Sequence, residues 1–108
     1  MQGHEGLGQV IGIGANITDV NFGDIVATRG EPAYADFYNV RKDEYVQVPE
    51  AHPRYIIEPV ACGINAVDAA DCARRDKILI IGSGFLAWVA YHTLTKFKHL
   101  ENVDVVGS

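Results

Sequence analysis

The 108 residues carry 48% hydrophobic and 21% charged side chains, the balance of an ordinary globular chain with one modest core, which sets aside disordered and fibrous classes. A formal charge of −5, with Lys and Arg scattered apart from Lys96 and Lys98, leaves no basic footprint for nucleic acid. No apolar run reaches the roughly 18 residues of a membrane span and no charged-then-apolar leader precedes the glycine-rich opening, so a cytoplasmic chain without a membrane partner is expected.

In chain order, the first half has strand grammar. Gln9 to Ile13 is rich in β-branched residues, turn formers follow from Asn16 to Asn21, and Phe22-Gly23-Asp24 leads into a strand at Ile25-Val26-Ala27, which together predict a hairpin-like meander. Ala33 to Val40 and Tyr45 to Val48 read as further extended runs around the charged turn Arg41-Lys42-Asp43-Glu44. Between Ile56 and Ala73 the apolar spacing turns helical, with Pro59 suited to a first helical turn. Lys77 to Ile81 reads as a parallel strand covered on both faces. Phe85, Val89, Ala90, Thr93, Leu94 and Phe97 then recur at helical spacing, and Val103 to Val106 is the next strand. Trp88 and Tyr91 fall on the outer side of that helix, and Cys62 and Cys72, with no metal-knuckle spacing, read as packing residues of a reduced protein.

Gly82-Ser83-Gly84-Phe85-Leu86-Ala87 joins a strand to a helix as Gly-x-Gly-x-x-Ala, the opening of a βαβ unit of a doubly wound α/β (Rossmann) sheet. Gly82 permits the tight turn, Gly84 leaves room for a pyrophosphate, and Ala87 allows close helix–strand packing. Phe85 and Leu86 supply first-turn N–H groups at the positive end of the helix. The competing reading is a glycine turn that serves packing alone. Where an acidic residue about 20 positions past such a turn would meet the adenosine ribose, this chain has Gly107 and Ser108, while Asp104 lies too early in the strand. Glycine there leaves space for a 2′-phosphate and the serine can donate to it, so NADP(H) is favoured over NAD(H); a shifted strand end would reverse this.

Gly3-His4-Glu5 offers an imidazole beside a carboxylate, both zinc ligands, yet neighbours in regular extended structure face opposite ways, so at most one would ligate. The other candidate ligands, Glu58, Cys62, Cys72, His52, His92 and His99, lie far along the chain, and spacing alone does not close a site from them.

Taken together, Gly3-His4-Glu5, Gly8-x-Val10, Gly14, Phe22-x-Asp24-x-Val26, Tyr34-Ala35-Asp36-Phe37 and Glu58-Pro59 with Asn65-Ala66-Val67 resemble the zinc-containing medium-chain dehydrogenase/reductase family across essentially the whole chain. The resemblance implies a partial GroES-like β-barrel catalytic domain over 1–60 and the start of a Rossmann NAD(P)-binding domain over 61–108. It implies His4 and Glu5 as catalytic and zinc-binding residues, with Glu58 as a further ligand of the polyol- and threonine-dehydrogenase-like branch. The function implied is zinc-dependent, NAD(P)-linked hydride transfer between an alcohol and a nicotinamide, in a parent enzyme expected to be a homo-oligomer acting on a small alcohol or carbonyl substrate. Two departures matter. The family's first zinc cysteine and proton-relay hydroxyl lie upstream of the His-Glu pair, where this chain has Met1 and Gln2, and the four-cysteine structural-zinc lobe is absent from Thr28 to Tyr34. The expectation is therefore a shortened form of a longer protein, weak in zinc affinity and inactive alone. A non-catalytic nucleotide-binding fragment and a zinc-free medium-chain reductase are the alternatives.

Overall fold

The computed structural model describes residues 3–74 and 76–107 and divides into two compact units, Met1–Glu58 and Pro59–Ser108. In the first, β1 (Gly6–Gln9), β2 (Ile25–Thr28) and β3 (Tyr45–Val48) form an antiparallel sheet in chain order. Leu7 pairs with Ala27 and Ala27 with Val46, so β2 is the central strand, and its Val26, Ala27 and Thr28 are all buried.

The meander is as expected, but two of its segments differ from the sequence expectation. The strand expected over Gln9 to Ile13 lies instead at Gly6–Gln9. Val10 still donates to Asp24 O (2.9 Å) and accepts from Gly23 N (2.8 Å), after which Ile11 and Ile13 are exposed. The partner strand decides this, because Gly23, at φ +90°, turns the chain away just before β2. Ala33 to Val40 forms no strand. That segment is held at two points instead: Ala33 N–H donates to Gly3 O (3.0 Å), and Tyr38 and Thr28 share a hydroxyl–hydroxyl hydrogen bond of 2.8 Å.

A 3-10 turn at Pro53–Tyr55, whose preceding His52 accepts Arg54 N–H on Nδ1 (3.2 Å), precedes the helix α1 (Glu58–Ala70). Glu58 sits in the first turn of α1, where the helix dipole favours a carboxylate.

The second unit carries β4 (Ile78–Ile81), α2 (Phe85–His92) and β5 (Val103–Val106), a parallel βαβ arrangement in register Ile78 to Val103 and Ile81 to Val106. Its core is Val67, Leu94 and Leu100, packed against Ile78, Ile80, Ala90, Val103 and Cys72. All of these lie on one face of the two-stranded sheet, so the expectation that β4 is covered on both faces fails: Leu79 is 58% and Ile81 85% exposed.

The helix expected through Phe97 changes pitch. Thr93–Phe97 is a π-turn, closed by Lys98 N–H to Thr93 O (3.0 Å). The hydroxyls of Thr93 and Thr95 donate to Val89 O and Tyr91 O (both 2.8 Å), a competition with the backbone ladder that loosens a helix. The wider turn carries Phe97 off the buried stripe, and Phe85 at the other end is also exposed. Cys72 does pack, whereas Cys62 is on the surface, contrary to its expected core role.

Candidate functional site

Gly3, at φ +77°, turns the chain immediately before His4 and Glu5, and β1 begins only at Gly6. His4 and Glu5 thus precede the regular strand, and the opposite-faces argument does not hold for them. Both meet Glu58 at the start of α1: one ligand atom from each of the three lies within 4.8 Å of the others. His4 Nε2 and Glu58 Oε1 are 3.8 Å apart, with Glu58 the more enclosed side chain (13% exposed, against 34% for His4) and Glu5 at the surface. One imidazole and two carboxylates form a donor set that zinc accepts, with bond lengths of about 2.0–2.2 Å, so small side-chain movements would close the group around an ion.

Among the described residues no other three such side chains come together. His52 caps its 3-10 turn, and His92 packs its ring against Trp88 and Tyr91 (centroids 6.1 and 5.8 Å). His99 occupies a left-handed turn position at φ +56°.

A second potential site lies in the second unit at the ends of β4 and β5. Gly82, at φ +120°, adopts a backbone that side chains rarely allow, and its N–H donates to Val106 O (2.7 Å). Gly84 precedes α2 in extended conformation, and a Cβ there would meet open space, so the protein's own packing does not require glycine at that position. Phe85 and Leu86 are exposed in the first turn, and Ala87 is half-buried. At Gly107 the expected free space is absent. A Cβ there would lie 2.6 Å from both Cβ and Oγ of Ser83, so Ser83 fills the room that was assigned to a phosphate. Ser108 lies outside the described residues.

Two further features of the structure leave little trace in the sequence. Gly63, inside α1, is buried against Val89 of α2; an interior helical glycine, costly by about 1 kcal/mol, was the available signal. The first unit also has an open concavity of about 850 Å³ beside its sheet, lined among others by Leu7, Val26, Phe37 and Tyr38. It depends on loop placement that periodicity does not report.

Fold and site together define an α/β chain with an imidazole–carboxylate cluster in one unit and a glycine-turn βαβ arrangement in the other. Over 110 residues the chain is 28% identical to a probable quinone oxidoreductase of Leishmania amazonensis, a match that takes in 98% of this chain and 32% of that protein. The chain thus spans about a third of the length of the curated relative it matches. No family model and no solved structure matches it. Among the described residues no helix is long and apolar enough to cross a membrane.

Proposed function

We propose that this chain works in a nicotinamide-dependent oxidoreductase of the medium-chain dehydrogenase/reductase superfamily, interconverting a small alcohol and its carbonyl with zinc at His4, Glu5 and Glu58. The single observation that carries this reading is the meeting of those three side chains within 4.8 Å, from sequence positions more than fifty residues apart. The similarity to a probable quinone oxidoreductase supports the broader oxidoreductase class.

On this reading the first unit is the start of a GroES-like catalytic domain and the second the start of a Rossmann domain. His4 offers a neutral imidazole nitrogen, and the carboxylates of Glu5 and Glu58 balance the charge of the ion. Zinc, when bound, supplies Lewis-acid polarisation of the substrate oxygen, and the nicotinamide supplies or accepts the hydride. The N–H groups of Phe85, Leu86 and Ala87 at the start of α2 would hold the dinucleotide pyrophosphate, and open space beside Gly84 lets it approach the backbone. NADP(H) is favoured over NAD(H), since no carboxylate stands at Gly107.

A second reading, metal-free reduction of a quinone, is favoured by the name of the relative. The two separate in one experiment on the whole enzyme in which this chain works: oxidation of NADPH with a ketone or with 1,4-benzoquinone, before and after treatment with a chelator. The zinc reading expects ketone-dependent oxidation that the chelator abolishes and that is lost in His4→Ala. Quinone-dependent oxidation indifferent to both the chelator and His4→Ala would overturn it in favour of the metal-free reading.

A further inference from the structure

We infer that Ser83, rather than Gly107, sets cofactor choice: its side chain fills the space through which an acidic side chain at 107 would have to leave the backbone, and its hydroxyl donates to a phosphate on the adenosine ribose 2′ position. The inference rests on the dinucleotide reading and deepens it.

Two contacts carry it. Ile81 and Val106 end β4 and β5 as partners in a parallel register, and the next residue, Gly82, donates its N–H to Val106 O at 2.7 Å, tying the glycine turn to the exit of β5. One residue further along each segment, Ser83 and Gly107 lie side by side. A Cβ on Gly107 would stand 2.6 Å from Ser83 Cβ, 2.6 Å from Ser83 Oγ and 3.6 Å from Ser83 N. Contacts of 2.6 Å are closer than carbon atoms tolerate, so no side chain fits at 107 while Ser83 keeps its place.

The acidic residue that accepts a ribose hydrogen bond about 20 positions beyond such a turn is therefore excluded sterically by Ser83. In its place the surface presents a neutral hydroxyl. Ser83 is exposed, and no hydrogen bond engages its side chain among the described residues. A hydroxyl can donate to a phosphate oxygen in a charge-assisted bond, where a carboxylate would repel the same group.

Equilibrium binding of NADPH and of NADH to the chain and three variants tests this. Ser83→Ala keeps the Cβ against Gly107 and removes only the hydroxyl, so the fold is retained. It should weaken NADPH about tenfold or more, the worth of a hydrogen bond to a charged group, and leave NADH unchanged. Gly107→Asp alone should bind both poorly, because the new side chain and Ser83 compete for one space. Ser83→Gly combined with Gly107→Asp should recover NADH and reverse the preference. An unchanged NADPH-to-NADH ratio in Ser83→Ala overturns the inference and leaves the dinucleotide reading standing, as does a wild-type chain that prefers NADH. A wild-type chain that binds neither nucleotide overturns the dinucleotide reading and this inference with it.

Discussion

The Tyr45 hydroxyl donates to Asp19 Oδ1 at 2.8 Å, joining β3 to the loop that precedes β2. This hydrogen bond holds the Asp19 carboxyl below the usual carboxylate range, while burial, and then the same bond, push the Tyr45 phenol up. The contribution of Asp19 to stability is thus present above the unfolded carboxylate pKa and is lost as pH falls through the depressed folded value. That of Tyr45 is fully present below the unfolded phenol pKa and is lost as pH rises through the raised folded value. Tyr45→Phe should move the Asp19 carboxyl upward in an NMR titration; an unmoved Asp19 would show that the bond does not form in solution. At this scale the family resemblance singles out His4, Glu5 and Glu58, and the structure brings one ligand atom of each within 4.8 Å of the others. Local geometry was misjudged: Gly3 lets His4 and Glu5 meet Glu58 together, which the alternation of a regular strand forbids. The contact between Ser83 and Gly107 depends on the pairing of β4 with β5 and could not be seen in spacing at all.

Between elements, the close approach of α1 to α2 turns on one residue. A Cβ at Gly63 would lie 2.5 Å from Val89 Cγ1 and 3.0 Å from Val89 Cβ. Gly63→Ala should therefore lower the denaturant midpoint: overpacking costs typically about 1–3 kcal/mol, more than the roughly 1 kcal/mol that alanine adds in helix propensity. Val89→Ala in the same chain should relieve much of the clash. A higher midpoint for Gly63→Ala alone would mean that the helices are further apart than described. Elements with strong local grammar were legible. Tyr45–Val48 and Val103–Val106 are strands where β-branched residues and turn formers placed them, and α1 begins beside Pro59. The exceptions have tertiary causes. Val10, Ile11 and Ile13 have the composition of a strand, but pairing with β2 runs out at Gly23. The helical spacing through Phe97 is broken by threonine hydroxyls bonding back onto the helix.

Over the whole molecule the buried interior is thin: among the described residues no large side chain is fully buried, and the core of the second unit rests on Val67, Leu94 and Leu100. Leu94→Ala should cost about 2–5 kcal/mol, enough to unfold a marginal unit, and a loss under 1 kcal/mol in chemical denaturation would contradict the described packing. The opposite face of the β4–β5 sheet leaves Leu79, Ile81 and Val106 exposed, the surface on which self-association is expected. Ile81→Lys should reduce concentration-dependent association in analytical ultracentrifugation without lowering the unfolding temperature; unchanged association would place the sticky surface elsewhere.

The proposed zinc site of His4, Glu5 and Glu58 is open to calorimetric titration of the apo chain with zinc. One equivalent should bind weakly, since the set lacks the thiolate of the family's site, with affinity lowered further in His4→Ala and by about tenfold or more in Glu58→Gln, as loss even of groups that only orient metal ligands costs about 10–100-fold. Zinc binding of equal affinity in the wild type and His4→Ala, or none in the wild type, would contradict it.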